Sequence, residues 1–188
     1  VMVSSDSPQG QRRIHRREKY GRAVAAGAVG FIFVNHLPGM LAPTGSLRAG
    51  ELAEIPAVGL SREDGFVIRR YLRDGNAVEL EMRVTNRTGP GEFSHVIGEV
   101  VGRADNHGRD NQVIVVGAHY DGHDISQGAV DDASGTALVM ELARIFAPLA
   151  GQLRRTLRFE AYVAEELGVL GSTRYVGDMT DSEVAAVA

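Results

Sequence analysis

The sequence predicts an α/β fold made of two consecutive units. Short apolar runs alternate along its 188 residues with stretches of helical periodicity, which is typical of a mostly parallel or mixed sheet flanked by helices. One run, QVIVVGAHY, is apolar almost throughout, as expected for a strand covered on both faces. A turn-rich stretch, NRTGPGEF, interrupts the pattern. We therefore expect a small α/β domain over residues 1–90 and a second α/β domain over residues 91–188.

The elements of the first unit follow from local patterns. VMVSS, GFIFVN and IPAVGL have the residue types of short strands, and residues 36–54 are rich in Gly, Pro and Ala, which predicts a loop. Residues 12–29, basic at first and then rich in alanine, predict a helix. SREDGFVIRRYLRDG predicts another, with Ser61 as its N-cap and Gly75 just past its end. AVELEMRVT alternates apolar and polar residues and predicts a half-exposed strand.

The second unit repeats the alternation with longer elements. SHVIGEVVG, QVIVVGAHY and the strictly alternating RTLRFEAYV predict strands, and ELGVLGSTRYVGDM predicts a helix. SGTALVMELARIFAPL predicts a helix whose apolar stripe contains Leu138, Leu142 and Ile145. Ligands of such sheets bind beyond the carboxyl ends of the strands. Because His119 and Glu165 both lie at such ends, we expect functional groups to collect at one edge.

The composition narrows the chemistry available to the chain. Hydrophobic residues make up 44% and charged residues 23%, which indicates a globular protein. There is no cysteine, so disulfides and thiolate metal sites are excluded and a metal ion would need His, Asp or Glu ligands. The apolar runs are far too short to cross a bilayer.

The charge pattern does not favour a nucleic-acid partner. The formal net charge of -4 is too small to indicate a polyanionic partner. Residues 12–22, RRIHRREKYGR, could mark a nucleic-acid patch. Helical spacing puts their basic side chains largely on one face and Glu18 interrupts them, so we favour a solvated helix face.

Two short motifs place candidate ligands where strands end and helices begin. In HYD, Asp121 follows His119 by two residues, so its carboxylate could orient the imidazole by accepting a ring N–H. In DDASG, Asp131 and Asp132 open a helix; capping needs one carboxylate, which leaves the other for a ligand. Each motif alone has an ordinary explanation, as a strand-end histidine beside a solvated aspartate or as a helix cap.

A third motif, AEELG, puts Glu165 and Glu166 directly after an apolar strand. Adjacent glutamates are usually solvated, but here they would repel each other unless cations are near. One could bind a metal ion while its neighbour accepts a proton from water. The three motifs together predict a hydrolytic metal site with hard oxygen ligands and one imidazole, which suits Zn²⁺, with Mn²⁺ or Co²⁺ as possible substitutes.

HYDGHDISQGAVDDASG followed by AEELGVLGS resembles metallopeptidase family twenty-eight, the co-catalytic di-zinc exopeptidases, over about residues 94–188. AAGAVGFIFVN and IPAVGLSREDG are similar to the protease-associated domain that several members carry. The resemblance implies a zinc exopeptidase-like sheet, two Zn²⁺ per complete catalytic domain, a peptide substrate and an extracytoplasmic or secreted location.

The resemblance also implies a role for each candidate residue. His119 would bind one zinc ion, Asp131 would bridge both, and Glu166 would bind the other. Glu165 would be the general base, and Asp121 would orient His119. The family supplies one more Asp and one more His from later in the chain, so each metal would lack one ligand within residues 1–188. We therefore expect weak zinc binding and no useful catalysis from these residues alone.

Four other residues are given no ligand role. Asp132 would follow Asp131 through a peptide bond that is often cis in this family. Asp178 and Asp181 fall too early to be the later Asp and are not assigned. His123 could touch substrate or merely belong to its loop, and we favour the loop.

The implied activity is hydrolysis of terminal peptide bonds, with an aminopeptidase favoured over a carboxypeptidase or dipeptidase of the same family. A non-catalytic receptor or scaffold relative is disfavoured because every ligand that this stretch could contain is intact. A single-zinc acyltransferase of the glutaminyl-cyclase type ranks low. The chain begins with Val1 and ends in DSEVAAVA, which reads as a helix or the approach to a strand, so we expect a fragment of a longer protein. Its oligomeric state stays open.

Overall fold

The structure is a computed structural model that describes residues 1–103 and 112–187. It divides into two compact units, Val1–Gly89 and Pro90–Ala188. Each unit combines one three-stranded sheet with helices, so the predicted α/β class is confirmed. Within the described ranges, every helix is too short or too polar to span a lipid bilayer.

The first unit contains a parallel sheet in the order β1-β2-β3. Its elements are β1 (Met2–Ser4), α1 (Arg16–Ala25), β2 (Phe31–Val34), β3 (Ala57–Leu60) and α2 (Arg62–Arg73). The core lies where α1 packs on the sheet, with Tyr20 edge-on to Phe31 at a ring separation of 5.4 Å. The three short apolar runs are therefore strands, as predicted.

Helix boundaries in this unit follow the capping residues. The N-cap of α2 is Ser61, whose Oγ accepts a hydrogen bond from the backbone N–H of Asp64 at 3.0 Å. Gly75 follows α2 with a φ of 82°, the conformation that the predicted helix end requires. By contrast, α1 is shorter than predicted because His15 caps its start and accepts from Arg17 N–H.

The predicted strand over residues 77–85 does not form. This segment makes no ladder with the sheet, although its alternation remains visible because Val78 and Met82 are half-buried between exposed neighbours. The Met82 thioether lies close to Gly30, beside β2. Alternation records which side chains face the protein, but a strand also needs a partner for its backbone hydrogen bonds, and this segment has none in the sheet.

The second unit contains a mixed sheet in the order β4-β6-β5. Its elements are β4 (Val96–Val100), β5 (Val113–His119), α3 (Ser134–Phe146), β6 (Thr156–Tyr162), α4 (Leu170–Gly177) and α5 (Asp181–Ala186). β5 runs parallel to β6, whereas β4 is antiparallel to it. In the parallel register His119 pairs with Tyr162, so the carboxyl ends of β5 and β6 meet at one edge.

The face that α3 buries differs from the predicted stripe. Val139 is buried and packs with Leu142 and Phe146 on the sheet, whereas Leu138 and Ile145 are 59% and 50% exposed. The helix carries apolar residues on two faces, and helical periodicity alone does not choose between them. Similarly, β5 is mostly half-buried rather than fully covered on both faces as expected.

A buried polar cluster fixes α4 against β6. Glu160 on β6 is 1% exposed, and its Oε1 accepts a hydrogen bond from the Tyr175 hydroxyl of α4 at 3.0 Å. The guanidinium of Arg158 donates to the same hydroxyl at 3.1 Å. Since α4 follows the Glu165–Glu166 turn directly, this cluster also limits the movement of that turn.

Candidate metal centre

His119 ends β5 and presents one ring nitrogen to a cluster of carboxylates. Its Nδ1 lies 3.0 Å from the backbone oxygen of Asp121, which can only accept, so in the neutral ring Nδ1 carries the hydrogen and Nε2 is left to bind a ligand. Nε2 lies 3.0 Å from Asp131 Oδ1 and 3.9 Å from Glu165 Oε2. The structure thus brings together three residues that are far apart in sequence.

The environment of His119 raises the pKa of its imidazole. Burial lowers the pKa of the imidazole. The Asp121 carbonyl, the Asp131 carboxylate and the negative charge of Glu165 act in the opposite direction and outweigh burial, so the pKa of His119 is raised. A cation bound at Nε2 of His119 would take the place of the proton on that nitrogen.

Asp121 links the imidazole to the glutamate turn. Its carboxylate accepts backbone hydrogen bonds from Glu165 N–H at 3.2 Å and from Glu166 N–H at 3.1 Å. The same carboxylate is 3.6 Å from His119 Nδ1, farther than the Asp121 backbone oxygen. The orienting contact to the ring therefore comes from the main chain of Asp121, and the side chain holds the two glutamate amides.

Asp131 and Asp132 differ in what their carboxylates contact. Asp132 Oδ1 accepts from Gly135 N–H at 3.0 Å in the first turn of α3, and its Oδ2 lies 3.4 Å from His119 N. Asp131 is left 78% exposed and faces the imidazole. The peptide bond between the two aspartates is cis, as the family resemblance implied.

The glutamates sit on a tight turn between β6 and α4. The backbone oxygen of Glu165 accepts hydrogen bonds from Gly168 and Val169 N–H, both at 2.7 Å. Ala164, which precedes the turn, is 2% exposed and has a φ of 58°, a conformation that non-glycine residues seldom adopt. Glu165 remains 39% exposed, so a small molecule can reach its carboxylate.

Sequence reasoning missed one contact at this site. His123 Nε2 lies 2.7 Å from Glu166 Oε2, although the sequence favoured a role for His123 within its loop only. The sequence signal was its spacing of four residues from His119 in a glycine-rich loop, which indicates proximity but not direction. Asp178, which the sequence does not assign as a metal ligand, caps the C-terminus of α4 and forms an ion pair with Arg174 at 2.8 Å.

Glu166 is more buried than its neighbour, and it feels several charges. Burial raises the pKa of Glu166, His123 and His119 lower it, and the like charges of Asp131 and Glu165 raise it further, with a net rise. Such mutual repulsion among carboxylates is the situation that a bound cation relieves.

The donor set fits zinc in type and, in part, in arrangement. Two ligands on one tetrahedral zinc ion lie ~3.3 Å apart, close to the 3.0 Å between His119 Nε2 and Asp131 Oδ1. Among residues 1–103 and 112–187, however, no three His, Asp or Glu side chains converge as a ready metal cage. His119 and Asp131 thus offer two donors of the right type, without a complete metal cage among the described residues.

Comparisons with known proteins relate both parts of the chain to described families. The profile of peptidase family M28 matches residues 96–188, and the PA domain profile matches residues 1–68. Leucine aminopeptidase 2 of Trichophyton equinum is 34% identical over 170 residues, which are 90% of this chain and 32% of that protein. Carboxypeptidase Q of Bos taurus is 29% identical over 123 residues, covering 65% of this chain and 25% of that protein.

A solved structure shares the fold. The zinc aminopeptidase BSAP from Bacillus subtilis superposes with a TM-score of 0.65 and 28% identity, covering 99% of this chain and 41% of that one. Fold and profile matches together put the chain in the class of the peptidases. It belongs to peptidase family M28, with a PA domain preceding the peptidase region. The chain spans about a third of the length of the first curated relatives it matches.

Proposed function

We propose that the full-length protein is a zinc-dependent exopeptidase, most simply an aminopeptidase, that removes residues from one end of a peptide. The observation that carries this proposal is the approach of Asp131 and Glu165 to His119 Nε2, at 3.0 and 3.9 Å, in a chain of peptidase family M28. Relatives named as aminopeptidases support the choice of reaction.

His119, Asp131 and Glu166 would hold the zinc ions. When bound there, zinc supplies polarisation of the scissile carbonyl group and a lowered pKa for the attacking water. The carboxylate of Glu165 takes the proton that water loses as it adds to the carbonyl carbon. The same proton then passes to the amine nitrogen as the C–N bond breaks. Exposure of Glu165 suits this exchange, since a general base must reach substrate and water.

Asp121 would act through its neighbours. Its backbone oxygen fixes the His119 ring with Nε2 directed at the ligand side, and its carboxylate fixes the amides of Glu165 and Glu166. The ligand and the base thus share one anchor. This arrangement supports a positioning role for Asp121 between the two strand ends.

Replacement of the base tests the mechanism. In the full-length protein, Glu165→Gln is expected to retain zinc and to lose turnover by about 10²–10⁴-fold, because the amide has no basic oxygen to accept the proton. Glu141→Gln, at an exposed ion pair on α3, is the matched control and keeps full activity. Near-normal turnover in Glu165→Gln would remove Glu165 from this role.

The direction of cleavage is a separate question, because carboxypeptidase Q is also a relative. An aminopeptidase does not cleave peptides acetylated at the amino terminus but accepts peptides amidated at the carboxyl terminus. The opposite selectivity would identify a carboxypeptidase. For location, the family resemblance leads us to propose an extracytoplasmic or secreted protein.

A further inference from the structure

The loop between β5 and α3 contacts the glutamate turn through His123. Its backbone closes through a hydrogen bond from Ser126 N–H to His123 O at 2.8 Å. At the neck of the loop, Gly122 and Gly128 lie so close that a Cβ on Gly122 would be 3.7 Å from Gly128 Cα. With the loop closed in this way, the His123 side chain lies against Glu166 and is only partly exposed to solvent.

His123 ends against the oxygen of a proposed metal ligand. Its Nε2 is 2.7 Å from Glu166 Oε2, and the two side chains are only 26% and 12% exposed. An exposed imidazole–carboxylate pair contributes little, but a shielded pair holds its partner more firmly. The carboxylates of Asp131 and Glu165 repel Glu166, whereas His123 and His119 attract it. Of the two imidazoles, His123 is the one in direct contact with Glu166, at 2.7 Å.

We propose that His123 is a positioning residue for the second zinc ligand: its contact with Oε2 fixes the orientation of the Glu166 carboxylate. The inference rests on the proposed function, because it takes Glu166 as a ligand. It follows a general rule of metal sites, in which groups behind the ligands fix the orientation of those ligands and thereby the metal affinity. His123 itself contacts neither metal nor substrate in this role.

Zinc titration of the full-length metal-free protein by calorimetry tests the inference without measuring activity. His123→Ala is expected to weaken the second zinc ion by about 10–100-fold and to leave the first unchanged, the range typical for loss of such a supporting group. His123→Gln, whose amide can still donate to Glu166, should recover most of that affinity. Asp124→Ala, an exposed change on the same loop, is the control and should bind both ions as the unmodified protein does.

The possible outcomes distinguish failure of the His123 proposal from failure of the exopeptidase proposal. If both zinc ions bind His123→Ala as tightly as the unmodified protein, His123 has no positioning role, while the exopeptidase proposal stands. If X-ray absorption shows His123 as a direct ligand, by loss of one zinc-bound imidazole per chain in His123→Ala, the positioning role is also overturned. If the unmodified full-length protein binds no zinc, both proposals fall together.

Discussion

Asp121 contacts three residues of the site, whereas the sequence predicted a contact with only one of them. The sequence predicted one contact, from its carboxylate to His119. In the structure, the backbone carbonyl of Asp121 contacts the His119 ring. The Asp121 carboxylate instead accepts hydrogen bonds from the backbone N–H groups of Glu165 and Glu166. A carboxylate that accepts from two backbone N–H groups is a strong local restraint. The side chain is 21% exposed, so water replaces these bonds poorly.

We expect Asp121→Asn to lower the free energy of unfolding by about 1–3 kcal/mol, because the amide offers one acceptor where two amide hydrogens point. Urea denaturation of the purified chain measures the change. Asp124→Asn makes the same chemical change three residues away at an exposed position, and it should stay within ~0.5 kcal/mol of the unmodified chain. Equal stability of the two variants would show that the Asp121 side chain is not a restraint.

The proximity of three candidate residues could be predicted from the sequence. Parallel strands end at one edge and helices begin there, so Asp131 and Glu165 were expected near His119, and both lie within 3.9 Å of its Nε2. The contact of His123 with Glu166 was not predictable, because it depends on the three-dimensional path of a loop. Sequence spacing limits the reach of that loop but does not give its direction.

At the scale of elements, the site depends on how closely α4 approaches the end of β6. Gly171 in the first turn of α4 is buried, and a Cβ there would collide with the Val163 carbonyl oxygen and meet the His95 ring at 2.9 Å. His95 Nε2 lies 3.1 Å from the Gly171 carbonyl. Glycine is thus required here for close packing rather than for an unusual φ.

We expect Gly171→Ala to cost about 1–3 kcal/mol of stability, since the added methyl group must push α4 away from backbone atoms. Gly177→Ala, at the other end of the same helix, meets nothing within 4 Å and should be neutral or slightly stabilising. Thermal unfolding of both variants measures the difference. If the two alanine variants melt together, α4 does not pack as tightly as described.

Elements were predicted well where a local pattern suffices and less well where a neighbour decides. The cap of α2 at Ser61 follows from local chemistry and is confirmed. The segment over residues 77–85 has a strand-like alternation but no partner strand, so no ladder forms. The choice between the Leu138 and Val139 faces of α3 is made by the sheet beneath it, which the helix pattern does not contain.

At the scale of the whole molecule, we propose that the two units are separate domains divided near residue 90. The boundary between the two compact units falls between Gly89 and Pro90 in the sequence. Residues 83–94 are exposed and without regular structure. Exposed extended segments are where proteases cut first, because the chain must fit the protease cleft without unfolding the protein.

Limited digestion with trypsin should therefore cut first after Arg83 or Arg87 and release a stable product that contains β1 to α2. Arginines within α1 and α2 are protected by their helices. Mass spectrometry of the earliest products identifies the cut. Replacing Arg83 and Arg87 together by Gln should delay it. A first cut within residues 1–75 would contradict the division.

The two strand ends hold their functional side chains in very different ways. After β6, a short turn with paired amides and a positive φ at Ala164 leaves Glu165 little freedom. After β5, a longer loop reaches Asp131, and residues 124–127 at its tip are exposed. In directed evolution, the tip residues are therefore the positions to randomise or lengthen, while the glutamate turn is left unchanged because its backbone bonds tolerate little movement.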